Sequence, residues 1–192
     1  MPLFEPAFPD GFAYRPAFIT PADEAALIGA IGSLTFADFA MRGVVARRRV
    51  AFFGETYDRA AAGPVPDFLL PLRAAVAEWA QVAPAAFAMA LINEYRPGAP
   101  IGWHRDAPQY DLVAGVSLLS PARMRFRPYV NQRRPQSTAP SRRAATHEVT
   151  LEPRSAYLMT GSARSNYEHH VPPVTALRYS VTFRTLRSPA NR

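Results

Sequence analysis

No cysteine occurs anywhere in the chain, so disulfides and thiolate metal sites are excluded, and histidine, aspartate and glutamate are left to hold any metal. Lysine is absent as well: all 22 basic residues are arginine, a uniformity that reads as codon bias rather than as function. Histidine is scarce, with four in 192 residues. No apolar run approaches the ~18 residues of a membrane span, and Met1-Pro2-Leu3-Phe4-Glu5 lacks the basic-then-apolar order of a secretory signal. The expectation is a cytoplasmic monomer with one domain over residues 1–192.

The formal charge of +7 is unevenly placed. Between Asp111 and Glu148 no acidic residue occurs, while Arg123, Arg125, Arg127, Arg133, Arg134, Arg142 and Arg143 all fall there and equal the whole excess. Such a patch attracts polyanions and contacts phosphates. The bland alternative is a solvated loop whose guanidinium groups keep the protein soluble.

Residues 1–19 carry Pro2, Pro6, Pro9 and Pro16 among aromatics and read as an extended arm. Thr20-Pro21-Ala22-Asp23 is a helix start, with Thr20 as N-cap, and Leu27, Ile28, Ile31 and Leu34 follow at helical spacing. From 35 to 57, Arg49, Ala51 and Phe53 alternate with Arg48, Val50 and Phe52, which predicts a strand or hairpin. Arg47, Arg48 and Arg49 with Phe53 and Tyr57 can grip a nucleotide, as can Arg125 and Arg127; an edge hairpin with a charged outer face is the simpler reading. A second helix is expected over 67–81, with Phe68, Leu69, Leu72, Val76 and Trp79 inward and Pro71 in its first turn. About eight short strands follow residue 88, and 128–145 reads as loop. The fold class is therefore α+β, mainly β: an antiparallel barrel or jelly roll backed by two N-terminal helices.

Within that β region three polar pairs recur at a spacing of two, which puts each pair on one face of a strand. They are Asn93 with Tyr95, His104 with Asp106, and the row Arg178, Ser180, Thr182 and Arg184, whose opposite face carries Tyr179, Val181 and Phe183. A polar face near a C-terminus usually meets water, but in a barrel around a charged ligand it is the lumen, where arginine can fork a carboxylate. His104 and Asp106 can share a metal if a third ligand arrives, and the distant pair His169-His170 supplies the candidate, His169. Two histidines and one carboxylate on one side of Fe(II) leave positions open for a co-substrate and O2.

These residues resemble the AlkB-type dioxygenases that depend on Fe(II) and 2-oxoglutarate. The resemblance rests on Asn93-x-Tyr95, Pro97-Gly98, His104-x-Asp106, His169 with Pro172, and the run from Arg178 to Arg184, and it extends over about 91–186. It implies a double-stranded β-helix over 88–187, preceded by an arm, helices and a nucleotide-recognition lid in 1–87. It also implies iron on His104, Asp106 and His169, the family spacing to Pro172 favouring His169 over His170. The far carboxylate of 2-oxoglutarate would pair with Arg178, helped by Asn93, Tyr95 and Arg184. The implied reaction consumes O2, yields succinate and CO2, and hydroxylates a methyl on a base nitrogen in single-stranded or damaged DNA or RNA, which then loses formaldehyde. This chain departs from the family in Ala107-Pro108 after the metal aspartate and in its arginine-rich insert from Pro128 to Arg143. Two other functions remain open: the same chemistry on a protein side chain or small molecule, and a non-catalytic basic barrel that binds nucleic acid.

Overall fold

The computed structural model describes residues 8–41, 44–55, 62–130 and 146–187. Helix α1 (Pro21–Gly32) starts where its cap predicts: Asp23 N donates to Thr20 Oγ1 at 3.1 Å and Thr20 N to Asp23 Oδ2 at 3.0 Å. Helix α2 (Leu70–Ala80) follows a single 3-10 turn at Asp67–Leu69, tolerates Pro71 in its first turn, and ends on Gln81 in the left-handed region. Leu69, Leu72 and Val76 are buried as expected, while Phe68 and Trp79 are half-buried against the same cluster.

Eleven strands form two sheets among the described residues. The arm contributes β1 (Phe12–Arg15), and the 35–57 segment is a hairpin of β2 (Ala37–Met41) and β3 (Val44–Gly54). The remaining eight are β4 (Phe87–Tyr95), β5 (Ile101–His104), β6 (Tyr110–Leu118), β7 (Ala122–Pro128), β8 (His147–Leu151), β9 (Ala156–Met159), β10 (Tyr167–Val171) and β11 (Arg178–Leu186). A seven-stranded sheet runs β1-β9-β6-β11-β4-β3-β2 and a four-stranded one β5-β10-β7-β8. From β4 on, the chain changes sheet at every step except the β7–β8 hairpin, which is the jelly-roll connectivity. No helix among the described residues is long and apolar enough to cross a membrane.

The large sheet is sandwiched. On one side Ile92, Val116, Val181 and Phe183 pack with Leu27, Ile31, Leu72 and Val76 of the helices. On the other, Val113, Tyr157 and Met159 meet Met124, Phe126, Val149 and Leu151 of the small sheet. The lumen lies between the sheets, and β11 at the centre of the large one presents its whole polar row there, with Arg178, Ser180, Thr182 and Arg184 all buried.

Three local expectations change. The arm is not merely laid on the core: β1 pairs antiparallel with β9 and adds an edge to the large sheet. A short helix α3 (Gly161–Ser165), unforeseen in the sequence, precedes β10. The strand carrying His104 ends at that residue, so Asp106 sits in the following loop, where Pro108 supplies no donor for a ladder and restricts Ala107.

Glu24 joins the two layers. Buried on α1, it accepts from Leu119 N at 2.9 Å and from Arg154 at 2.7 Å, and both partners hold positive φ. Glu24→Ala strands both donors and is expected to cost about 2 kcal/mol, which thermal melting reads as a fall of about 6 °C for a domain of this size.

Candidate active site

The polar row of β11 shares the lumen with β4 and β6 through register: Ser180 lies opposite Asn93 and Ser117, and Arg178 opposite Tyr95. Arg178 is 2% exposed. Its Nε and Nη2 donate to Ser117 Oγ at 3.1 and 2.7 Å, and its guanidinium lies 5.0 Å from the Tyr95 ring centre. Among the described residues no carboxylate forms an ion pair with it; burial pulls its pKa below the usual arginine range, opposed by the two nearby tyrosines. A cation buried without an anion is costly. This donor set suits the end of an acid ligand.

Arg184 takes a different partner. Its Nε and Nη2 both donate to Asp106 Oδ1, at 3.0 and 2.8 Å, and Thr182 Oγ1 accepts a third bond at 3.0 Å. The guanidinium that the resemblance assigns to the diacid is thus engaged with the candidate metal carboxylate. Burial pushes the Asp106 carboxyl up, but Arg184, then His169, His104 and Arg164, outweigh it and hold the group ionised well below the ordinary carboxylate range.

Asp106 Oδ2 is buried with no hydrogen-bond donor and stands 3.6 Å from His169 Nε2. Burial, and the nearby His104, lower the His169 pKa to about 3, so the imidazole is neutral. The rings of His104 and His169 are 4.2 Å apart, on residues paired directly across β5 and β10. His104 Nδ1 donates to Gly102 O at 2.8 Å, which leaves its Nε2 lone pair free to ligate. Among the described residues no three histidine or carboxylate groups are gathered closely enough to form a ready-made metal centre, so the three donors are neighbours around a point and not a closed cage. An orphaned carboxylate oxygen beside two neutral imidazoles nevertheless fits a divalent iron, and the mixed nitrogen and oxygen donors suit it. His170 points away, its ring stacked on Trp103 at 4.9 Å.

Arg164 of α3 was not singled out in the sequence. It is buried and donates to the carbonyls of Ala107 and Tyr110, at 3.0 Å for the latter, so it pins the loop that follows Asp106. Its signal was invisible because its acceptors are backbone atoms more than fifty residues away.

The lumen opens as a cavity of about 1010 Å3. Among its described lining residues seven are arginine and one, Asp106, is acidic. At the mouth, Arg47 is exposed, and Arg48 donates to Asn93 Oδ1 at 3.1 Å while lying 4.6 Å from the Phe39 ring centre. Not every nucleotide candidate comes here. Arg49 faces the helix side, forked onto Glu94 at 3.0 and 2.9 Å, and Phe53 packs into the helix-side core, because successive strand residues face opposite ways. Arg125 and Arg127 lie on the outer face of the small sheet, paired with Glu148 at 2.6 Å and Glu168 at 2.7 Å. Two acids from neighbouring strands, Glu148 and Glu168, offset two of the three positive charges that the linear count gave to 123–127. Tyr57 and the arginines at 133, 134, 142 and 143 lie outside the described residues.

Comparison with known proteins agrees with this architecture. A sequence model described as the 2OG-Fe(II) oxygenase superfamily matches residues 47–184. An Arabidopsis thaliana protein described as an alkylated DNA repair protein ALKBH8 homolog is 24% identical over 181 residues, covering 84% of this chain and 51% of the relative. The chain thus spans about half the length of that curated relative. The structure of OsALKBH1 superposes with TM-score 0.61 at 17% identity, over 91% of this chain and 98% of that one. A prolyl-4-hydroxylase from Pseudomonas putida gives TM-score 0.61 at 13% identity, over 92% and 93%.

Proposed function

Because the chain belongs to the 2OG-Fe(II) oxygenase superfamily, whose dioxygenases work with Fe(II), 2-oxoglutarate and O2, we propose that it oxidatively demethylates N-alkylated bases of the 1-methyladenine and 3-methylcytosine type in DNA or RNA. The observation that carries this substrate class is the charge of the cavity: beyond the buried Arg164, Arg178 and Arg184, which have partners or roles inside, Arg47 and Arg48 stand at its mouth, and Asp106 is the one acid among the described lining residues. Excess guanidinium at an opening suits a phosphate backbone, and the cavity behind it accepts a base turned out of its stack. The relative described as an alkylated DNA repair protein homolog supports the same reading.

His104, Asp106 and His169 would hold the iron. Bound there with 2-oxoglutarate and O2, the metal supplies the oxidant that hydroxylates a C–H bond, with succinate and CO2 as co-products. Arg178 fixes the far carboxylate of the diacid through paired donors, with the Tyr95 ring packed beside it. Asn93 is held by Arg48 and faces the same lumen. Arg184 acts through Asp106, fixing one oxygen so that the other is presented toward His169. The apolar residues where the two sheets meet exclude water from one end of the lumen. The hydroxylated N-methyl group then leaves as formaldehyde.

A second reading, the same chemistry on a protein side chain, draws on the prolyl-4-hydroxylase likeness, since the fold fits both structures equally. Single-stranded oligonucleotides carrying one 1-methyladenine or 3-methylcytosine separate the two. The expected result is mass loss of one methylene, with formaldehyde and succinate formed in equal amounts. Succinate formation with the oligonucleotide mass unchanged would remove the nucleic-acid reading and leave the oxygenase.

A further inference from the structure

Bases methylated on a Watson–Crick nitrogen fall into two chemical kinds. 1-Methyladenine and 3-methylcytosine carry a positive charge at neutral pH and an amino group beside the methylated nitrogen. 1-Methylguanine and 3-methylthymine, or 3-methyluracil in RNA, are neutral and hold a carbonyl in that place. The charge and the hydrogen-bonding character of the lumen decide which kind it accepts.

Arg48 is the cation that reaches inward from the mouth. It is half-buried on β3 and lines the cavity, and its Nε donates to Asn93 Oδ1 at 3.1 Å, on a residue paired with Ser180 of the polar row. The Phe39 ring, its centre 4.6 Å from the guanidinium, braces the side chain. Asp106, the one acid among the described lining residues, already accepts two Arg184 donors on Oδ1, and Ala107 and Pro108 after it are uncharged. By formal charge Fe(II) offsets the doubly negative diacid and Asp106 offsets Arg184, so Arg48, Arg164 and Arg178 keep the loaded lumen positive. A cationic base brought out of water into that enclosure meets repulsion less screened than in solution. A guanidinium also has donors and no acceptor, so it can bond a carbonyl but opposes an amino group donor to donor.

We propose that Arg48 makes the cavity selective for neutral keto bases methylated on the Watson–Crick nitrogen, 1-methylguanine and 3-methylthymine or 3-methyluracil, ahead of the cationic amino bases. This rests on the nucleic-acid reading given above and orders the substrates within it. Arg48 Nε stays on Asn93, and the Nη donors meet the base carbonyl beside the methylated nitrogen.

The test uses single-stranded oligonucleotides identical except for one residue: 1-methylguanine, 3-methylthymine, 1-methyladenine or 3-methylcytosine. Binding to the metal-free protein is read by fluorescence anisotropy, and kcat/KM of the iron-loaded enzyme by mass loss of one methylene. The keto pair is expected to bind and turn over about tenfold better than the cationic pair, the scale of one good contact to a base edge. Arg48→Gln, which removes the charge and supplies an acceptor, is expected to erase that preference, weakening the keto pair and improving the cationic one. Arg47→Gln, at an exposed position of the mouth, weakens all of them alike, as loss of a phosphate contact does. Equal or better use of the cationic bases by the wild type, or an Arg48→Gln variant that scales every oligonucleotide by one factor, would overturn this proposal and leave the nucleic-acid reading standing. Succinate formed while every oligonucleotide keeps its mass would bring down that reading and the proposal with it.

Discussion

Asp106→Asn is expected to abolish succinate formation, a loss of at least about 1000-fold, or ~4 kcal/mol of lost metal-dependent stabilisation, while leaving the protein folded. Asparagine keeps a carbonyl oxygen for the two Arg184 donors now taken by Oδ1. What it loses is the negative charge and the buried, donorless Oδ2 beside His169. Asp106→Ala is a poorer test. It strands a buried guanidinium, and breaking such a pair costs about 3–5 kcal/mol, so inactivity there mixes unfolding with chemistry. The measurements are succinate formed per chain, Fe(II) retained after dialysis, and the melting temperature. Wild-type iron retention and turnover in Asp106→Asn would show that the carboxylate serves Arg184 alone.

Arg178→Lys is expected to raise the KM for 2-oxoglutarate about 100-fold, since two charge-assisted hydrogen bonds are each worth about 1.5–3 kcal/mol and one ammonium replaces neither the fork nor its geometry. Ser117 Oγ now receives two donors from one guanidinium edge, at 3.1 and 2.7 Å. A lysine in a site 2% exposed is also drawn toward its neutral form by burial, which weakens it further as an anion partner. Steady-state kinetics with 2-oxoglutarate varied at saturating substrate measure the effect. Normal turnover at limiting 2-oxoglutarate would move the anchor elsewhere.

Features with a local cause were legible in the sequence. The start of α1 follows from Thr20, Pro21 and Asp23, and the polar face of β11 from strict alternation between Arg178 and Arg184. What alternation could not reveal is which acid meets which arginine. Arg48 and Arg49 are adjacent, yet one reaches Asn93 in the lumen and the other Glu94 on the helix side. Arg184 reads in the sequence as a helper for the diacid, and its pairing with Asp106 across 78 residues is visible only in the fold. The edge strand β1 was hidden by prolines whose local preference for extended chain says nothing about a ladder.

The position of β11 bears on biogenesis. It is the last strand among the described residues and yet lies between β4 and β6, pairing with both. A nascent chain halted before residue 178 would hold two long strands with unpaired edges flanking a gap, and exposed edges of that kind invite association with other chains. Closure must wait for the segment bearing Arg178 and Arg184, so synthesis delivers the polar row of the lumen and the final seam of the sheet in one event.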